Sequence, residues 1–181
     1  MQKQHSFSVR TICAVAVLTA LSVIVAYLCK FLTITPTVRV TFENLPIIMS
    51  GFVFGPVAGL FTGIAADFLS ALIFYGLGAM NPFLTVASGV IGLISGTAAM
   101  KFAGKKPALR LALAVFPAHI IGNMIIKTVG FRVWYGSPFF ATLAVRVPLY
   151  AAIAAAEYVI LYALLKSDGI RRALGFEKGA F

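Results

Sequence analysis

Between Leu45 and Tyr75 about 31 residues pass with a single charged side chain, Asp67. One crossing of a bilayer needs roughly 20 consecutive apolar residues. The block is therefore too long for one span and short for two. At its middle lies "GFVFGPVAG", Gly51–Gly59. Whether the chain reverses at Gly55-Pro56 decides on which side of a membrane every later loop lies.

The rest of the chain is of the same kind. It is 61% hydrophobic and 11% charged over 181 residues, whereas soluble domains are closer to half apolar and a quarter charged. Apolar residues arriving in such blocks specify an all-α, polytopic membrane protein, with residues 1–181 forming one membrane-embedded domain. A net charge of +10 would suggest nucleic acid in a soluble protein. Here the basic residues fall in short loops, where they set orientation, and no nucleic-acid partner is expected. The apolar run after Lys3 and Arg10 lacks an A-x-A cleavage pattern, so it reads as a retained first span. Cys13 and Cys29 lie about 24 Å apart on that helix, too far for a disulfide, and read as free thiols.

Charge parity settles the count. Lysine and arginine gather before the first span (Lys3, Arg10), in Lys101–Arg110, and at the end (Lys166, Arg171, Arg172, Lys178). The positive-inside rule puts all three groups in the cytoplasm. An even number of crossings must then separate the N-terminus from Lys105 and Lys106, so the Leu45–Tyr75 block crosses twice and turns at Gly55-Pro56, where glycine tolerates unusual angles and proline cannot continue a helix ladder. Six transmembrane helices follow, at about 9–31, 42–54, 57–75, 83–103, 107–129 and 139–166, with both termini cytoplasmic and the whole a multi-pass protein of the cell membrane. The second is short: Asn44–Phe54 rises roughly 17 Å and needs flanking residues such as Val40–Glu43 to extend it. Small residues recur every four positions at Ala16 and Ala20, at Gly59 and Gly63, and at Gly92 and Gly96, a spacing that lets helices approach closely.

The outer loops and adjoining helix ends carry Lys30, Arg39, Lys127, Arg132 and Arg146 against one acid, Glu43. Positive charge on the outer side opposes the orientation rule, so an anionic ligand is a better account of it. His119, Asn123 and Lys127 are four apart and share a helix face; Arg146, Tyr150 and Glu157 share another. A charge at this depth costs about 3 kcal/mol on insertion scales, so both faces point into the bundle. Asp67 reads either as a proton or cation relay or as a structural partner for a neighbouring helix, and His119 and Glu157 as functional groups or as cross-braces. Trp134 and Tyr135, expected in a loop between the fifth and sixth spans, form an interfacial belt or a stacking surface for a flat heteroaromatic ligand. No phosphate-binding G-x-x-x-x-G-K-[ST], H-E-x-x-H or G-x-S-x-G motif occurs. No enzyme, metal site or cofactor is expected.

"RVTFENLPIIMSGFVFGPVAGLFTGIAADFLSALI" (Arg39–Ile73) closely resembles the second and third spans of folate-family S components of energy-coupling factor (ECF) transporters. "NPFLTVASGVIGLISG", "NMIIKTVGFRVWYGSPFF" and "RVPLYAAIAAAEYVILYALLK" are similar to their later segments, so that the resemblance covers nearly the whole chain. It implies a six-helix vitamin-binding subunit of the bacterial membrane that works with a transmembrane coupling protein and two cytoplasmic ATPases. Ala16-Val-Leu-Thr-Ala20 matches the motif by which such subunits dock on the coupling protein. Folate is the ligand that the resemblance implies. The short "YGLGAMNPF" before the fourth span departs from folate-binding members and leaves pantothenate or another anionic vitamin open. On this reading Arg39, Lys127 and Arg146 contact carboxylates. Glu43, Asn81 and Asn123 read a polar ring edge, and Asn44, the neighbour of Glu43, lines the site with them. Trp134 and Tyr135 stack on the ring. A proton-coupled carrier using Asp67 and Glu157, and an intramembrane enzyme using His119, stay open beside it.

Overall fold

The structure, a computed structural model, describes residues 9–35, 38–74, 76 and 80–167. Lys3, Tyr75 and the terminal cluster of Arg171, Arg172 and Lys178 lie outside the described residues. Six helices form the bundle: α1 (Val9–Cys29), α2 (Asn44–Phe54), α3 (Pro56–Phe74), α4 (Pro82–Lys101), α5 (Pro107–Tyr135) and α6 (Phe139–Lys166). Five are long and apolar enough to cross a membrane, and α2, with 11 residues, is the short one. In the loop after α1, Thr33–Thr35 (β1) and Val38–Arg39 (β2) make one small antiparallel pairing.

The chain does reverse at Gly55-Pro56. Gly55 has φ 97°, a conformation that suits glycine, and Pro56 opens α3, where a missing N–H is harmless. Ser50 and Thr62, on either side of that turn, bring their hydroxyls to 2.7 Å, and a Cβ on Gly59 would lie 2.7 Å from Gly51 Cα. The later contacts run antiparallel too. Pro56 meets Gly96, Gly59 meets Gly92 and Gly63 meets Ser88 along α3 and α4. Ile91 meets Gly122, and Phe83 meets Gly130, along α4 and α5. His119 meets Glu157 between α5 and α6. The start of α1, the turn at Gly55 and the Phe102–Lys106 connection therefore share one end of the bundle. The β1–β2 loop, the start of α4 and Gly136–Pro138 share the other.

One boundary differs from the sequence reading. The fifth helix was expected to end near Val129 but continues to Tyr135, where Gly136 takes φ 66° and donates to Arg132 O. Gly130 is a packing glycine within this helix: a Cβ there would sit 2.6 Å from Phe83 Cβ. Trp134 and Tyr135 consequently belong to a helix and not to a loop. The second helix spans Asn44–Phe54, and the Val40–Glu43 extension is not helical, which leaves Glu43 in the loop ahead of it. Large apolar side chains that face away from the bundle, such as Val17, Ile24, Phe61, Ile73 and Val159, are what a lipid-facing surface requires.

Candidate functional site

The site begins with what α2 lacks. Eleven residues of helix rise about 17 Å, well short of a hydrocarbon core of about 30 Å. The non-helical residues 40–43 must descend into the bundle to meet it, and Thr41 and Glu43 are both buried. Non-helical backbone at such depth is tolerated only where protein satisfies it or where it lines a cavity. Here Thr41 Oγ1 accepts from Glu43 N–H at 3.2 Å, and Ser22 Oγ of α1 donates to Glu43 O at 2.6 Å.

Glu43 then joins three parts of the chain. Its Oε2 lies 2.8 Å from Arg39 Nη2, and its Oε1 lies 3.3 Å from Lys127 Nζ on α5. Glu43 is thus met by two cations, one from the loop and one from α5.

Arg146 of α6 is also buried. Its Nη1 donates to the Asn123 carbonyl at 2.9 Å, and its guanidinium lies 4.6 Å from the Phe131 ring centre and 5.5 Å from that of Tyr150. A planar cation between aromatic faces is held both by packing and by the ring quadrupoles. Asn123 Nδ2 lies 2.9 Å from His119 Nδ1, and His119 Nε2 lies 2.8 Å from Glu157 Oε2. On the opposite wall, Asp67 accepts from Thr85 Oγ1 at 2.7 Å and from Ser88 Oγ at 3.3 Å. Ser22, Glu43, Ile47, Ala66, Asp67, Ser70 and Ser88 line a crevice too narrow to hold a water, whereas small-molecule sites enclose roughly 300–1,000 Å³. Several fully buried polar atoms around this seam have no hydrogen-bond partner among the described residues: both side-chain atoms of Asn44, Asn123 Oδ1, Thr128 Oγ1 and Glu157 Oε1. Such atoms call for a ligand or for water.

The residues singled out from sequence divide into two sets. Arg39, Glu43, Asn44, Asn123, Lys127 and Arg146 belong to one polar seam. Asn81 does not offer its side chain to it: Oδ1 caps α4 by accepting from Phe83 N–H, and Nδ2 donates to Gly130 O at 3.3 Å. Trp134 and Tyr135 are about half exposed, at 49% and 51%, and the ring over Arg146 is Phe131. Lys30 lies over the Phe74 ring at 5.7 Å, and Arg132 donates to Gly136 O at the end of α5. Ala16 and Ala20 face out of the bundle. Phe131 and Tyr150 were missed as site residues, although Phe131 continues the 119–123–127 spacing by four and Tyr150 follows Arg146 by four. Among the described residues no group of three or more His, Cys, Asp or Glu is placed to hold a metal ion.

Comparison with known proteins is consistent in kind. The family model described as ECF-type riboflavin transporter, S component, matches residues 6–167. The folate transporter FolT of Clostridium novyi (strain NT) is 29% identical over 139 residues, covering 76% of this chain and 78% of that protein. Among solved structures, FolT bound with folic acid superposes with a TM-score of 0.71 at 19% identity, covering 94% of this chain and 96% of that one. The S component for biotin from an ECF-type ABC transporter gives 0.65 at 21%, covering 92% and 96%. At these identities the structural likeness establishes the fold.

Proposed function

The chain belongs to the S components of ECF-type transporters, and from that premise we propose that it captures folate at the outer face of a bacterial membrane for import. The observation that carries the ligand class is the seam itself. Arg39, Lys127 and Arg146 converge at one end of the bundle, with Glu43 between Arg39 and Lys127. Guanidinium and ammonium groups gathered in this way suit a ligand with carboxylates. The folate relative points the same way. Asn44 and Asn123, with unpartnered amide atoms, suit the alternating donors and acceptors of a pterin edge. The aromatic faces of Phe131 and Tyr150 suit its ring.

In this reading the Arg39 end of the bundle faces outward, and Lys105, Lys106 and both termini are cytoplasmic. ATP hydrolysis falls to two ATPase subunits, joined through a transmembrane coupling protein that docks on Ala16 and Ala20. A second reading, riboflavin, is favoured by the family description. Mass spectrometry of small molecules copurifying with the protein, followed by titration with folate, riboflavin and pantothenate, separates them. Folate copurifying and binding most tightly is expected. Riboflavin binding more tightly than folate replaces the first reading with the second.

A further inference from the structure

Between Ala118 and Lys127, α5 is not an α-helix. Residues His119–Ile126 form a π-helical segment, and Lys127 N–H reaches Gly122 O, five residues back. A π turn takes up one residue more than an α turn. Each extra residue rotates everything beyond it by roughly 100° relative to the same sequence wound as an α-helix. The rotational setting of the whole outer half of α5, with Lys127, Phe131 and Gly130, therefore depends on this segment keeping its form.

Three features bear on it. Pro117, just before it, supplies no N–H to the α ladder. Gly122 presses on Ile91 of α4, where no added Cβ fits. The third is polar. Asn123 Nδ2 can only donate, so His119 Nδ1 accepts from it, and Nε2 carries the proton given to Glu157 Oε2 of α6. His119, Asn123 and Glu157 are all fully buried. Asn123 in turn offers its carbonyl to Arg146. One chain of bonds thus runs from Glu157 through the π segment to a residue of the seam.

We propose that His119 and Glu157 are positioning residues: their bond fixes the π-helical register of α5, and with it the rotation that presents Asn123 and Lys127 to the ligand. The effect on ligand rests on the reading that these two line the folate site; the effect on rotation does not. Neither residue is bonded to the Arg39–Glu43–Lys127 group, so they act on the site through α5. A plain cross-brace would hold α5 to α6 equally well if both polar groups were replaced by leucine, since apolar pairs of similar volume commonly substitute for buried ion pairs without loss of stability. A register lock would not survive that exchange, because two leucines pack but do not select one rotation.

The test uses the full chain with Cys13→Ser and Cys29→Ser, and reads the rotation of α5 without ligand from one added cysteine. Thr128 is buried, Val129 exposed and Gly130 buried. In the π-helical register a thiol at Thr128→Cys is therefore expected to be protected from a small thiol reagent and one at Val129→Cys to be labelled. Loss of the extra residue turns each position by roughly 100° to the facing of the next, which exchanges the two. In the double variant His119→Leu, Glu157→Leu, cooperative melting is expected to persist while labelling moves from position 129 to position 128. In the same double variant without the reporter cysteines, folate affinity is expected to fall at least about tenfold, the loss of one well-made hydrogen bond to ligand. Wild-type labelling in that variant overturns the proposal. Moved labelling with unchanged folate affinity supports the register lock and removes Asn123 and Lys127 from the folate site instead. Should the double variant not melt cooperatively, Glu157→Gln and Glu157→Asp decide. Glutamine keeps an acceptor at the same reach and is expected to keep the wild-type labelling, whereas aspartate falls one methylene short and is not. Equal labelling by both overturns the proposal.

Discussion

Where α2, α3 and α4 meet, the helices touch through bare backbone; where α2, α5 and α6 meet, they touch through buried charge and amide groups. On the first side Gly51, Gly59, Gly63, Gly92 and Gly96 stand so close to the neighbouring backbone that a single added Cβ finds no space. On the second, Arg146, Lys127, Glu43, His119 and Glu157 are each buried and each bonded across elements. Close approach gains dispersion and leaves no room for a ligand. Buried polar groups are individually expensive, so they persist where they bind something or set a geometry. The difference teaches that the glycine side is the fixed wall and that the polar side, on the proposed reading, is the working one.

The largest effect expected is on the wall. A side chain at position 92 would run into the Gly59 carbonyl, which is backbone and cannot yield. Gly92→Leu should destabilise the fold by about 3 kcal/mol or more, the upper end of overpacking effects, and abolish folate binding with it. Thermal unfolding of the purified variant checks this, and a wild-type melting curve would mean the wall is not rigid. Next comes the working side. Arg146→Ala should weaken folate binding by about 2–5 kcal/mol, as removal of one partner of a desolvated charge pair does, while the protein stays folded. Titration calorimetry with folate reads it, and undiminished affinity would take Arg146 out of the site. Trp134→Ala touches neither side. Its half-exposed ring at the helix end should change stability by less than about 0.5 kcal/mol and leave folate affinity nearly unchanged; a tenfold loss would restore it as a stacking residue.

The smallest effect on the isolated protein is expected from Ala16→Trp. Ala16 and Ala20 share the small-residue spacing of the glycines but face outward, so stability and binding should stay within about 0.5 kcal/mol of wild type. Uptake by the assembled transporter should nevertheless be lost, because a bulky group there keeps a docking helix away. Equal losses of binding and uptake would show that α1 packs like the glycine wall.

The order of the helices, their alternation and the turn at Gly55-Pro56 follow from sequence alone. Length in residues converts to length in ångströms, and charge in short loops fixes parity, without any knowledge of neighbours. The face carrying His119, Asn123 and Lys127 was legible for the same reason, since spacing by four is a local property. Other features needed the folded molecule. The continuation of α5 to Tyr135 turned on whether Gly130 breaks a helix or packs in one, which Phe83 on α4 decides. That Asn81 caps α4 while Phe131 lies over Arg146 depends on contacts between residues distant in the chain. The π segment, and with it the rotation of the outer half of α5, is a compromise among Pro117, Ile91 and Glu157, which belong to three different helices. Periodicity reports only what one helix does by itself; which of its residues meet a partner is set by the packing energy of all six.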